Sequence, residues 1–180
     1  IEGHALGEHR PAWAVDLGSW NRAVAVSPAG WIATVGGASL DVLDGETGVK
    51  VARMGACSIA PGGLFLPSAD RGIVVCEDGM DEVSFPEMKG RRVVKFALRA
   101  EVTAHAAGSV AVAARKGKVV QIYRGGTWAL RAEIRPAAEV RSLAISPDGA
   151  TLAVHGEDGS LVLHDIDSGK VLSTRPGGGS

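Results

Sequence analysis

Several features that mark particular classes of protein are scarce in this chain. Aromatic residues make up 4% of its 180 residues, cysteine occurs twice, and the formal net charge is −1. Neither sign of charge forms a long block, which argues against a nucleic-acid or anionic-membrane partner. No apolar run approaches the ~18–20 residues of a membrane span, and the N-terminus lacks a signal-peptide core. We therefore expect a cytoplasmic globular protein.

Two further absences concern the cysteines and the helices. Cys57 and Cys76 form no pattern from which a disulfide can be assigned, so their pairing stays open at this point. The expectation for a cytosolic chain is two reduced, buried thiols. No amphipathic helix of about ten residues is readable anywhere, which predicts an all-β protein.

The chain does contain a strongly patterned stretch, residues 140–172. Apolar residues alternate with small or polar ones over short segments, as in half-buried strands. Turn sequences separate the segments, among them Ser146-Pro147-Asp148-Gly149 and Glu157-Asp158-Gly159, in which glycine supplies the positive φ of a tight turn. This pattern predicts a four-stranded antiparallel meander of about forty residues.

The same pattern recurs along the chain. Ser27-Pro28-Ala29-Gly30 matches the later Ser-Pro turn at an offset of 119 residues, close to three periods of forty, and two degraded copies lie between. We predict four copies of the meander, at residues 22–54, 63–98, 102–134 and 140–175. Residues 1–21 are predicted to form an irregular N-terminal segment with a candidate outer strand, and residues 176–180 a flexible tail. The predicted structural turn residues are Gly30, Asp78, Gly79, Gly149, Asp158 and Gly159.

The stretch from Asp158 to Lys170, DGSLVLHDIDSGK, resembles the end of a WD repeat, with its Asp-Gly turn, its strand and its Thr-Gly-Lys-like turn. The resemblance implies a β-propeller, in which each meander is a blade and neighbouring blades bury each other's faces. The family's tryptophan is replaced at each copy, and its Gly-His dipeptide is absent, so the chain looks like a divergent, bacterial relative. The replacements are Leu43, Ser84, Tyr123 and His164.

The number of blades predicts that the chain is part of a larger assembly. The resemblance to WD repeats implies rings of about seven or eight blades, and Trp13–Leu17 resembles the outermost strand of a preceding blade. Two copies of the chain, or further blades of the same parent protein, would complete the ring, and a closed four-bladed ring is the alternative. Completion would cover apolar residues on the end blades, including Val15, Val24, Leu161 and Leu163.

Catalytic and ligand-binding patterns are not recognisable. His155 and His164 are predicted to lie too far apart on neighbouring strands to share a metal, and His105 is expected to be structural or solvated. No nucleophile motif is present, and the acidic loops lack calcium-loop spacing. The compact basic cluster 115–118 has no aromatic platform beside it. We predict no cofactor, no metal and no catalytic residue.

What remains is surface. The turns that join successive blades are expected on one face of a propeller, and that face is predicted to bind a protein partner through Trp20, Arg22, Arg99 and Arg141. Packing of Trp20 between blades is an alternative that the sequence leaves open. The predicted function is a non-catalytic module for protein–protein interaction or regulation. Two alternatives stay open: an enzyme domain, either a propeller hydrolase or quinoprotein-like, whose catalytic groups lie in missing blades, and a structural domain that completes a propeller by dimerisation.

Overall fold

A computed structural model describes residues 2–4, 11–15, 21–36, 39–85, 87–97, 99–106, 108–114 and 117–177, without the side chains of 2–4, 11–13, 21 and 22. All regular structure in these ranges is β-strand. Four antiparallel sheets of four strands each follow one another along the chain, and each sheet keeps the chain order of its strands. The predicted all-β class with four-stranded propeller blades is confirmed. No helix of the described residues is long and apolar enough to cross a membrane.

We number the blades in chain order. Blade 1 contains β3 (Asn21–Val26), β4 (Trp31–Gly36), β5 (Ser39–Asp44) and β6 (Lys50–Gly55). Blade 2 contains β7 (Ile59–Phe65), β8 (Arg71–Cys76), β9 (Gly79–Ser84) and β10 (Lys89–Lys95). Blade 3 contains β11 (Val102–Ala106), β12 (Ser109–Ala113), β13 (Val120–Arg124) and β14 (Leu130–Ile134). Blade 4 contains β15 (Val140–Ile145), β16 (Thr151–Gly156), β17 (Leu161–Asp165) and β18 (Val171–Arg175).

Blade 2 begins four residues before the predicted boundary at Gly63. The sequence Pro61-Gly62-Gly63 reads as a linker, because proline and two glycines are typical of turns. In the structure it lies within β7 as an irregularity: Ile59 pairs with Cys76, and the next pairing joins Leu64 to Val74. Gly62, with φ +71°, accommodates the displaced backbone.

The N-terminal segment is more regular than predicted. Here β1 (Glu2–His4) pairs antiparallel with β2 (Pro11–Ala14) in a separate two-stranded sheet. The expected outer strand Trp13–Leu17 overlaps β2 at Trp13 and Ala14, and residues 16–20 lie outside the described part of the chain. The local sequence of 1–11 lacks alternation, so the pairing with β2 was not readable from it.

The described residues group into two compact units, 1–59 with 63–76 and 80–92, and 60–62 with 77–79 and 93–180. In the first unit, a cluster of blade 1 residues packs with residues of β7, β8 and β9; its members from blade 1 are Ala33, Val35, Leu40 and Val42, with Ala23 and Ala25 at its margin. In the second unit, blades 3 and 4 share a cluster that includes Ala111, Ala113, Val120 and Ile122 from blade 3, and Val140, Leu152 and Val154 from blade 4. Each cluster buries one face of each contributing sheet, as blade stacking requires.

We call the face of a blade that packs toward the following blade in the chain its trailing face, and the face that packs toward the preceding blade its leading face. The two faces of a blade are opposite each other, so one packed face identifies both. By this definition Ala23 and Ala25 lie on the trailing face of blade 1. Leu143 and Ile145 lie on the leading face of blade 4, where they pack against the blade 3–4 cluster.

The expectation of two reduced thiols is wrong: Cys57 and Cys76 form a disulfide. Because Ile59 pairs with Cys76, the chain two residues earlier passes beside the end of β8, and Cys57 meets Cys76 there. This proximity comes from strand pairing, which the spacing of two cysteines does not reveal. Since disulfides are rare in cytosolic proteins, the thiols no longer support a cytoplasmic location, which stays a prediction.

Candidate functional site

The connector between blades 2 and 3 holds Arg99, one of the four predicted partner-binding residues. The backbone N–H of Phe96 donates to the carbonyl of Asp78, and that of Ala100 donates to the carbonyl of Glu77, so the connector is fastened to the turn before β9. Arg99 Nη2 donates to Glu77 Oε1 at 2.7 Å, and this bond raises the pKa of the guanidinium. The side chain of Arg99 stays 66% exposed. A fixed stem and an exposed charged end suit recognition of a partner's acidic or carbonyl groups.

The other three predicted interface residues are placed differently. Arg141 lies on β15, the innermost strand of blade 4, and is exposed. Trp20 lies outside the described residues, and the backbone of Arg22 belongs to β3 while its side chain is not described. The described part of the proposed face therefore consists of Arg99 and Arg141.

The predicted turn residues occupy tight turns at three glycines. Gly30, Gly149 and Gly159 have φ of +84°, +71° and +77°. In the turn before β17, Asp158 accepts bonds from the amide (3.0 Å) and hydroxyl (2.6 Å) of Ser160, which lower the pKa of its carboxyl. Gly79 differs, because it is the first residue of β9.

One repeated backbone position was recognised in the sequence only for blades 1 and 4, where the turns ending at Gly48 and Gly169 match at an offset of 121 residues. The turn between the two outer strands of each blade has a residue with positive φ, at Gly48 (+70°), Met88 (+54°), Trp128 (+56°) and Gly169 (+69°). In all four turns its N–H donates to the carbonyl four residues earlier. Because two of the four residues are not glycine, only the spacing of about forty residues could have revealed the position.

The histidines do not converge. His155 is paired with Leu161 and His164 with Leu152, so His164 lies three positions further along β17 and on the opposite face of the sheet. His105 lies on β11 with much of its surface exposed. The part of the side chain that is buried is removed from water, and this desolvation lowers the pKa of the imidazole. Among the described residues, Cys57, Cys76 and Asp81 have potential ligand atoms within 4.8 Å of one another. The disulfide occupies both sulfur atoms, so this group does not offer thiolate ligands.

His164 stands where the WD family has tryptophan, and it is buried at 5% exposure. Its Nδ1 lies 3.4 Å from the carbonyl oxygen of Gly169, and its Nε2 has no hydrogen-bond partner among the described residues. The equivalent residue of blade 1, Leu43, is fully buried. Blade 4 therefore carries a polar atom at a position that is apolar in blade 1.

Replacing His164 by leucine is expected to stabilise the protein by about 1 kcal/mol, because it removes a buried nitrogen without a partner at the expense of one long hydrogen bond. Equilibrium urea denaturation measures the change. His155→Leu, on the half-buried opposite face, serves as the control with little expected effect. A loss of stability in His164→Leu would show that the ring nitrogens make a stronger bond than the structure indicates.

Arg131 joins blades 3 and 4. Its guanidinium donates to Asp167 Oδ1 (2.8 Å), to the carbonyl oxygen of Gly149 (2.9 Å) and to Ser109 Oγ (3.3 Å). The side chain is only 16% exposed, and the bond to Asp167 raises its pKa. Two turns of blade 4 are thus fastened to the outer strand of blade 3.

Arg131→Ala is expected to cost about 1–3 kcal/mol of stability, since a charged donor is removed from a backbone carbonyl and a neighbouring hydroxyl. Arg135→Ala is the matched control: Arg135 is 74% exposed, and its ion pair with Glu133 lies at the surface. Denaturation midpoints of the two variants should differ clearly. Equal midpoints would mean that Arg131 does not join the blades in solution.

The architecture defines a class, proteins built from four-stranded antiparallel β-propeller blades, and the comparisons with known proteins find similarity to WD-repeat members of that class. A family model described as the anaphase-promoting complex subunit 4 WD40 domain matches residues 98–178, which correspond to blades 3 and 4. The predicted resemblance to WD-repeat propellers is confirmed.

Two particular proteins are similar to this chain. The small ribosomal subunit protein RACK1 of Caenorhabditis elegans is 38% identical over 69 residues, or 38% of this chain and 21% of RACK1. Hsv2 of Kluyveromyces lactis has a related structure, with a TM-score of 0.65 and 18% identity over 83% of this chain and 49% of Hsv2. The chain thus spans about a fifth of RACK1 and half of Hsv2. Both proteins are eukaryotic, so they lend no support to the predicted bacterial origin.

Proposed function

We propose that this chain is a non-catalytic propeller module for protein–protein interaction or regulation, and that it works as part of a larger ring. The observation that carries the proposal is the exposure of large apolar side chains on the end blades. Val24 and Val26 of blade 1 are 58% and 64% exposed, and Leu161 of blade 4 is 39% exposed. Blade faces are normally covered by neighbours, so these surfaces suit a protein partner or further blades.

The proposal is tested at the trailing face of blade 4, where Leu161 and the half-buried Leu163 lie side by side on β17. Proteins of the native source extract that cross-link to the wild-type chain should no longer cross-link to the double variant Leu161→Lys/Leu163→Lys. Leu130→Lys is the control, because Leu130 is 52% exposed on the outer strand of blade 3. Equal cross-linking of all three proteins would contradict an interaction through the end blade.

The arginine face is the second part of the proposal. Arg99→Ala/Arg141→Ala should weaken partner capture, whereas Arg71→Ala should not. Arg71 matches Arg99, since it is 59% exposed and also pairs with a glutamate, but it starts β8, at the opposite end of that strand from Glu77. Loss of capture in all three variants would point to general electrostatics instead of a defined face.

A second copy of the chain is one candidate partner, and further blades of the parent protein are the other. Eight blades from two copies agree with the ring size that the WD resemblance implies. Light scattering tests completion of the ring: a dimer has twice the 18.5 kDa mass of the chain, whereas a stable, monodisperse monomer with no tendency to associate would contradict completion and support the closed four-bladed ring. The structural alternative, a domain that completes a ring by dimerisation, would lose its partner in the Leu161→Lys/Leu163→Lys variant but not in Arg99→Ala/Arg141→Ala.

The enzyme alternative makes a distinct prediction. Because no acid, base and nucleophile are arranged together among the described residues, we expect background rates with ester, peptide, lactone and phosphate substrates. Turnover above background that His105→Ala or His155→Ala abolishes would overturn the non-catalytic proposal. His105 belongs to neither proposed partner surface, so His105→Ala should retain partner binding, whereas His155 pairs with Leu161 on the trailing face of blade 4.

A further inference from the structure

The small N-terminal sheet repeats the register of the outer half of a blade. In blades 1, 3 and 4, the strand pair nearest the turn between the two outer strands joins residues seven positions apart in the sequence. The next residue of the outermost strand has no partner in the strand pairing. The joining pairs are Leu43 with Lys50, Tyr123 with Leu130, and His164 with Val171. In the N-terminal sheet His4 pairs with Pro11, also seven positions apart, and the same irregularity leaves Ala12 unpaired.

The spacing along the chain agrees with this register. His4 precedes Leu43 by 39 residues, and Tyr123 precedes His164 by 41 residues, which is one period in each case. Thus β1 and β2 have the register and the spacing of the third and fourth strands of a blade that would come before blade 1. Within the described residues, β1 has one partner strand, β2, and its other edge is free of strand pairing. The two inner strands of this blade are not among the described strands, because β3 to β18 are all members of the four-stranded sheets of blades 1 to 4.

Exposure on blade 1 shows where the missing strands belong. Val24 pairs with Thr34, and Thr34 with Asp41, so the three residues share the leading face of the sheet. Thr34 and Asp41 are 1% and 4% exposed, while Val24 on the innermost strand is 58% exposed. The uncovered part of this face is therefore its inner strand, which the inner half of a preceding blade would face.

Blade 4 shows how the equivalent surface is covered. Leu143 and Ile145 take the places of Val24 and Val26, 119 residues later, and both pack against the blade 3–4 cluster. That cluster contains Ala111 and Ala113 of β12 and Val102 of β11, all from the inner strand pair of blade 3. The natural cover for Val24 and Val26 is thus a pair of inner strands with small apolar side chains on one face.

We propose that the free edge of β1 and the inner strand of blade 1 together bind a β-hairpin from outside these 180 residues, with alanine or valine on the face that meets Val24 and Val26. Backbone hydrogen bonds to β1 supply affinity, and the two valines select small side chains. A second copy of this chain does not satisfy both features, because its strands are already paired within their own blades. The inference rests on the proposed role in protein interaction, but it concerns a different surface from Arg99 and Leu161.

The test uses the full chain and a synthetic peptide with the sequence of residues 101–114, the inner strand pair of blade 3. Amide hydrogen exchange should slow by about tenfold or more at Glu2–His4 when the peptide is bound, with an affinity of about 1 mM or tighter. A peptide with Ala111→Lys and Ala113→Lys should give no protection. Val24→Lys/Val26→Lys in the protein should abolish it, and Leu130→Lys should retain it.

Two outcomes would overturn the inference. One is unchanged exchange at β1 in the presence of saturating peptide concentrations. The other is self-association of the free chain that Val24→Lys/Val26→Lys abolishes, because the occupant would then be a second copy. In either case cross-linking through Leu161 and capture through Arg99 can still succeed, so failure here is distinguishable from failure of the proposed function.

Discussion

Gly45→Ala is expected to destabilise the protein by about 3 kcal/mol, at the upper end of the usual cost of overpacking. Gly45 lies in the turn after β5, and a Cβ atom there would lie well inside contact distance of the Gly30 carbonyl oxygen. A backbone oxygen cannot rotate away as a flexible side chain can, so two turns of blade 1 would have to separate. The same close approach recurs between Gly125 and Gly108 in blade 3.

Equilibrium urea denaturation measures the effect of Gly45→Ala, and Gly55→Ala is its control. Gly55 ends β6, and a Cβ atom there would meet nothing within 4 Å. That substitution should be neutral or slightly stabilising, since alanine restricts the unfolded chain. If both variants unfold at the same urea concentration, the two turns are not in contact in solution.

Removal of the disulfide is expected to cost about 3 kcal/mol. The bond joins residues 19 positions apart, and closing a loop of that length limits the unfolded chain by about this amount in the loop-entropy description. It also ties the connector after blade 1 to the end of β8, beside the cluster that blade 1 shares with β7, β8 and β9. Both reduction of the wild type and the double variant Cys57→Ala/Cys76→Ala should lower the free energy of unfolding.

The double variant supplies the control for reduction, because a reductant should not change its stability further. A thiol-labelling reagent added to the native, unreduced protein should modify neither cysteine. Rapid labelling of Cys57 under these conditions, or identical stability with and without reductant, would contradict the disulfide. The cost of its removal would then be limited to the packing lost at Cys76, which is fully buried.

The fold class was predictable because its signals are local. Alternation along five or six residues determines which side chains can be buried, and turns such as Ser146–Gly149 end each strand wherever the strand lies in the fold. The recurrence of these signals every forty residues predicts repeated sheets, since a single meander cannot bury its own faces. Arg99 was readable as a surface residue, but the Glu77 carboxylate that orients it was not.

By itself, then, the sequence determined the all-β class, the forty-residue period and the glycine turns at Gly149 and Gly159. Only the tertiary structure decided the Cys57–Cys76 bond, the pairing of β1 with β2, and the three bonds of Arg131. Strand alternation and turn preference act between residues close in the chain, whereas these features depend on strand register and on contacts between separate blades. A shift of one residue in register would move every side chain to the opposite face, and the register follows from burial of both strands together.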